Sequence, residues 1–301
     1  MKYIKECLTA FRELSPLPVE SFNSFRTSPR RSVKALIFDI YGTLLISGSG
    51  DVFSDEVNPA EILEVLLRSG IKVVSGNPEE AASEALSLFK MIINESQKEA
   101  RSAGIVHSEI DIREIWDDVI LKMTSKGILA LGHDYSSEKL SFYFEAVTNP
   151  VFPMPGMKKL IRKLDKKNKV LGIVSNAQFY TPVIMNYFVN GEIHDGNDIS
   201  PFKKSLIKYS FLERRSKPDE TMFNSIRDTL MNNFNISPGE TLFVGNDMFK
   251  DIYPASKVGF KTVLFAGDGR SLRLREDKEE VKGLNPDYAV GDLESILKII
   301  E

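Results

Sequence analysis

The sequence predicts an α/β protein, a doubly wound parallel sheet interrupted by an inserted α-helical domain, and three observations carry that prediction. Residues 33–38 (VKALIF) are a nearly continuous apolar run, as a parallel strand buried on both faces requires. Residues 59–144 then read as helical segments. After Pro153 and Pro155, apolar strand-like runs and helical segments alternate to the end of the chain, the pattern of a parallel sheet with crossover helices.

Each element has a local reason. Ile4, Leu8, Phe11 and Leu14 recur at helical spacing over residues 3–14, and Pro16 with Pro18 stop that helix. Residues 15–32, rich in Ser, Pro and Arg, read as a linker, with Arg26, Arg30 and Arg31 as a solvated stretch. In the insertion, helices are expected over residues 62–67, 81–100, 112–123 and 138–146, with no strand between them. Trp116 shares an apolar helical face with Ile112, Ile115, Val119 and Ile120, which predicts core packing. Arg113, between Asp111 and Asp117, reads as solvated. Further strands are expected over residues 170–174, 241–244, 262–265 and 288–290. The organisation that follows is an N-terminal helix and linker (1–32), an α/β core (33–50 and 149–301) and a helical insertion (51–148). Gly48, Ser49 and Gly50 read as a flexible connection between the last two.

Composition narrows the function classes. Of 301 residues, 42% are hydrophobic and 27% charged, enough to bury a core and offset chain entropy. A net charge of -3 gives no basic field for nucleic acid, so small molecules are the expected partners. Cys7 is the one cysteine, so no intrachain disulfide can form and an inert buried thiol is expected. The charged N-terminal helix lacks the apolar centre of a signal peptide, and no apolar run approaches the ~20 residues of a spanning helix. A cytoplasmic protein without a membrane partner is the expectation.

Ligands of open parallel sheets bind beyond the carboxyl ends of the strands, so polar residues directly after apolar strands are the candidates for chemistry. Asp39 follows LIF in DIYGTLL. Ser175 and Asn176 follow VLGIV, Lys217 lies in RRSKPD, and Asn246, Asp247 and Asp251 follow TLFVG. Taken singly, an aspartate after a strand ordinarily caps a helix or begins a turn. Together, carboxylates, a hydroxyl, an amide and an ammonium form a set able to bind a phosphoryl group and a divalent cation.

These four segments, in this order, resemble the motifs of the haloacid dehalogenase-like hydrolases, a superfamily with a Rossmann-like core, and the resemblance runs from residue 33 to the end of the chain. It implies that Asp39 attacks the substrate and forms a covalent aspartyl intermediate. Gly42 and Thr43 would shape the nucleophile loop, with the Thr43 hydroxyl orienting the carboxylate. Ser175 and Asn176 would donate hydrogen bonds to substrate oxygens, and Lys217 would neutralise charge on the nucleophile and the phosphoryl group. Magnesium (Mg2+) would be held by Asp39, the backbone carbonyl of Tyr41 and Asp247, with Asp251 a direct or indirect partner. The implied activity is a magnesium-dependent phosphatase acting on a small, anionic, phosphorylated metabolite.

Tyr41 departs from the pattern. Phosphatases of the superfamily usually carry there a second aspartate that protonates the leaving group and later activates water. A phenol, with an ordinary pKa of ~10, is a poor relay near neutrality. Tyrosine at this position resembles the true 2-haloacid dehalogenases, which work without metal on a halide leaving group. A metal-independent dehalogenase is therefore one alternative, and a catalytically weak binding or regulatory protein on the same scaffold is another. His107 and His133 lack metal-ligand spacing.

Overall fold

The computed structural model describes residues 2–19, 32–49, 57–194 and 196–300. Arg26, Arg30, Arg31 and Gly50 lie outside the described residues. In chain order the elements are α1 (Lys2–Ala10), β1 (Ala35–Phe38), β2 (Leu45–Ser47), α2 (Pro59–Arg68), β3 (Ile71–Val73), α3 (Pro78–Ser102), α4 (Ile112–Ser125), β4 (Leu129–Leu131), α5 (Ser137–Thr148), β5 (Val151–Pro153) and α6 (Met157–Lys166). There follow β6 (Val170–Ser175), α7 (Tyr180–Asn190), β7 (Ile207–Tyr209), α8 (Ser210–Glu213), α9 (Thr221–Phe234), β8 (Thr241–Gly245), α10 (Tyr253–Lys257), β9 (Lys261–Phe265), β10 (Tyr288–Val290) and α11 (Ser295–Ile300). The chain divides into two compact units, Met1–Arg12 with Asp51–Pro150, and Glu13–Gly50 with Val151–Glu301.

The second unit is built on a six-stranded sheet in the order β10-β9-β8-β1-β6-β7. Every pairing in it is parallel, as the unbroken apolar runs predict. β1 is central and all four of its residues are buried. Its register sets Phe38 beside Ile173 of β6 and Val244 of β8, so the residues that follow these strands emerge at one edge of the sheet. Ala35, Ile37, Val174, Phe223, Ile226 and Phe243 belong to the hydrophobic cluster that holds α9 against the sheet. The Phe223 and Phe243 ring centroids lie 5.1 Å apart there. Strand β7 and the antiparallel pair β2–β5 do not stand out in the sequence, because three residues are too few to display a period.

The first unit is helical, with one correction. β3 and β4 form a short antiparallel pair inside it, where no strand was expected. Its helices start where the side chains dictate. Asn58 and Asn77, each followed by proline at the first helical position, accept backbone N–H groups of α2 and α3, and Asp111 and Ser136 do the same for α4 and α5. Trp116 is fully buried, packed between Phe89 at 4.6 Å and Phe144 at 5.1 Å between centroids. Arg113 is not simply solvated. Its guanidinium pairs with Asp111 Oδ2 at 2.6 Å and Glu138 Oε1 at 3.2 Å, because the capping aspartate lies two residues before it. Helix α1 groups with this unit through Tyr3 edge-on to Phe142, and Tyr143 Oη donates to Glu6 Oε2 at 2.9 Å. Arg68 covers the Tyr143 ring at 4.6 Å. Cys7 is buried in this helix, and burial pushes its thiol up to about 12, so it is inert at neutral pH. Among the described residues no helix is long and apolar enough to cross a membrane.

Candidate active site

The sheet brings Asp39, Ser175, Lys217, Asp247 and Asp251 together at the carboxyl ends of β1, β6 and β8. Asp39 is anchored by its own backbone N–H, which donates to the Val244 carbonyl at 2.9 Å and continues the β1–β8 ladder by one residue. Its side chain is 7% exposed. Oδ1 accepts from Ser175 Oγ at 3.0 Å and from Lys217 Nζ at 2.6 Å. Oδ2 has no donor among the described residues.

The chain turns sharply after Asp39. Thr43, Leu44 and Leu45 all direct their N–H groups to the Ile40 carbonyl, and Gly42 sits in the left-handed region at φ 81°. A Cβ on Gly42 would stand 2.5 Å from Asn246 Nδ2 and 2.6 Å from Ser271 Cβ. Two costs coincide there, so Gly42→Ala is expected to destabilise the protein by roughly 2 kcal/mol or more. Chemical denaturation of the two proteins measures it, and an unchanged midpoint would contradict the geometry. Thr43 is fully buried, but its hydroxyl donates to Asn246 Oδ1 at 3.2 Å and not to Asp39. It ties the nucleophile loop to the loop after β8, whereas the expected role was to orient the carboxylate.

Asn176 also takes a different part. Its amide oxygen accepts the Lys217 backbone N–H at 2.7 Å and its Nδ2 donates to the Lys217 carbonyl at 3.4 Å, so the side chain expected to face substrate holds the lysine loop in place. Lys217 is thereby delivered into the cluster, where Nζ reaches Asp39 Oδ1 and Asp251 Oδ1, each at 2.6 Å. Burial alone pulls the ammonium pKa down, but the Asp251 and Asp39 charges outweigh it and leave the group raised and protonated.

The loop after β8 has its own logic. Gly245 lets Asp251 approach, since a Cβ there would lie 2.5 Å from the Asp251 carboxyl carbon. Asp251 Oδ2 accepts the N–H groups of Asn246 at 3.1 Å and Asp247 at 3.0 Å. Burial pushes the Asp251 carboxyl up to about 7, Lys217 opposes that shift, and the charges of Asp39 and Asp247 add to it. Asp247 caps the π-helical turn Met248–Ile252, its Oδ1 accepting from Phe249 N–H at 2.8 Å and Lys250 N–H at 2.9 Å. Its Oδ2 is taken by Arg275, with Nε at 3.0 Å and Nη2 at 2.9 Å. Sequence reasoning missed Arg275, which lies 28 residues further on in a loop without a recognisable motif. It also missed Thr181 of α7, whose Oγ1 is 2.8 Å from the Tyr41 hydroxyl.

Three carboxylates and two fixed cations share this cluster. Among the described residues no group of three or more Asp, Glu, His or Cys side chains forms a metal cage. Magnesium does not require one, because it is ordinarily held by one or two carboxylates with waters and substrate phosphate. The donor chemistry fits such an ion. Asp247 Oδ2 already holds a cation, the Arg275 guanidinium, so this buried carboxylate is charged and turned toward positive charge.

The chain belongs to the haloacid dehalogenase-like hydrolases, whose family model matches residues 33–259, and it is a hydrolase with the Rossmann-like core of that family and a helical insertion after its first motif. The glyceraldehyde 3-phosphate phosphatase of Pyrococcus furiosus is 25% identical to it over 281 residues, covering 90% of this chain and 94% of the relative. Among solved structures, a HAD phosphatase from Thermococcus onnurineus superposes with a TM-score of 0.51 at 18% identity, over 89% of this chain and 98% of that one. The 2-haloacid dehalogenase of Pseudomonas syringae does so with the same score at 14% identity, over the same shares of the two chains. At these identities the structural likeness speaks for the fold, which both activities share.

Proposed function

We propose that this hydrolase is a magnesium-dependent phosphatase that transfers the phosphoryl group of a small metabolite to Asp39 and then to water. One observation carries the reading: Ser175 and Lys217 hold one oxygen of Asp39 while the other has no donor among the described residues. A carboxylate is a weak nucleophile, and fixing it in line removes much of the entropic cost of attack. Asp39 Oδ2 attacks phosphorus, the bond to the leaving oxygen breaks, and Lys217 offsets negative charge on the nucleophile and the transferring group. Asp39, the Tyr41 carbonyl and Asp247 would hold the magnesium ion, with Asp251 behind them. When bound, that ion supplies positive charge to a site that already carries three carboxylates and must admit a phosphate dianion. Asp251 serves in this scheme by anchoring Lys217 and the loop amides of Asn246 and Asp247.

A metal-independent dehalogenase is the second reading, and Tyr41 is the feature that favours it. Asp251, paired with Lys217, and Asp247, paired with Arg275, weigh against it, since a halide leaving group has no use for these two acids. The name of the Pyrococcus relative makes glyceraldehyde 3-phosphate the first substrate to try. Phosphate release from a panel of phosphorylated metabolites with magnesium, assayed beside halide release from 2-haloacids in chelator, separates the readings. Magnesium-dependent phosphate release alone is the expected result, and halide release without metal would sink the proposal.

A further inference from the structure

The cation on Asp247 has no part in the reaction just described, yet its placement bears on the metal. Both lone-pair faces of Asp247 are committed. Oδ1 is fixed by the amides of Phe249 and Lys250, so Oδ2 is the oxygen with which this residue would bind an ion, and there the Arg275 guanidinium sits, with Nε at 3.0 Å and Nη2 at 2.9 Å. Arg275 is delivered there by design of the backbone. Its own φ is 53°, in the left-handed region that residues other than glycine seldom occupy. The strand of loop before it is stitched to the Asp247 turn by Met248 N–H to the Arg273 carbonyl at 2.9 Å and Arg273 N–H to the Asn246 carbonyl at 3.0 Å. The Asp247 side chain is 7% exposed whereas that of Arg275 is 25% exposed, so the guanidinium lies between the buried acid and solvent and has water to move into. Arginine keeps its proton at any physiological pH, so the guanidinium remains a cation there.

Resting on the reading of a magnesium site, we propose that Arg275 is a built-in counter-ion of Asp247 that competes with magnesium and leaves Asp247 Oδ2 when the metal binds. Two consequences follow from linkage. Arg275 stabilises the metal-free protein by pairing a buried carboxylate, and it weakens magnesium binding by the same interaction. Metal binding then releases a guanidinium to the margin of the site, where it is a donor for an incoming phosphate.

The test is magnesium titration by calorimetry together with thermal melts with and without magnesium, on the full chain and on Arg275→Gln and Arg275→Lys. Arg275→Gln is expected to bind magnesium about tenfold more tightly, in the range usual for coupling between two ligands of one group. It should also melt lower than wild type in chelator and gain more from added magnesium. Arg275→Lys, which keeps the charge but loses the two-pronged contact, should fall between them in both measurements and covers the case in which the glutamine variant fails to fold. Wild-type binding with equal or weaker affinity in both variants would overturn the proposal while leaving the metal reading intact. Absence of magnesium binding in all three proteins would overturn both.

Discussion

Asp39→Asn is expected to reduce phosphate release by roughly 10⁴-fold or more, because it removes the attacking oxygen itself. An amide in that place cannot attack phosphorus, and it also withdraws one charge from the proposed metal site. The fold should survive the change. Lys217 would lose its ion pair with Asp39 Oδ1 but retain Asp251 Oδ1 at 2.6 Å, so no buried ammonium is left alone. Two negative charges facing two cations are also easier to bury than three. The backbone anchor from Asp39 N–H to the Val244 carbonyl does not depend on the side chain. Near-wild-type melting with turnover lost is the expected pair of results. A folded variant that still turns over at the wild-type rate would show that Asp39 is not the nucleophile.

The main strand ends were legible in the sequence because a strand buried on both faces has to be apolar throughout, so the first polar residue after it is conspicuous. That is how Asp39, Ser175 and Asn246 with Asp247 beside it stood out. Lys217 follows no long strand, and it was found through its place in the motif order. Apart from β10, the three-residue strands left no trace. The pairs β2–β5 and β3–β4 involve strands of three residues, too short for alternation to distinguish them from turns. Roles were less legible than positions. That Asn176 grips the Lys217 backbone, or that Thr43 bonds to Asn246, depends on which loops the sheet sets side by side, and spacing along the chain does not encode it. Arg275 is the clearest case. Its partner Asp247 lies 28 residues earlier, and only the stitching of two loops brings them together. The N-terminal chain is similar: α1 packs with the helical unit, while Leu17, beyond its end, bonds to Asp268 and Gly269 of the α/β unit.

Tyr41→Asp is expected to raise the hydrolysis of alkyl phosphates by up to ~10²–10⁴-fold, the range usual for a positioned general acid or base. An alkoxide leaving group needs a proton, whereas a phenolate or a carboxylate needs far less help. In the wild type the residue two places after the nucleophile is a phenol, and its hydroxyl is engaged with Thr181 Oγ1 at 2.8 Å. Thr181 Oγ1 also accepts the Gln178 N–H at 3.3 Å, so the tyrosine is tethered to the start of α7. Such a tether suits positioning better than proton transfer. The wild type should therefore favour aryl and acyl phosphates, and with an aryl phosphate it should release a burst of phenol before slow turnover, because no carboxylate removes a proton from the water that attacks the aspartyl intermediate. Tyr41→Phe controls for loss of the tether, and its alkyl phosphate rate should stay at the wild-type level while Tyr41→Asp rises. Glyceraldehyde 3-phosphate, an alkyl phosphate, makes the comparison decisive. Rapid hydrolysis of it by the wild type, with no gain in Tyr41→Asp, would mean that another group already performs the proton transfer and that Tyr41 does not limit the reaction.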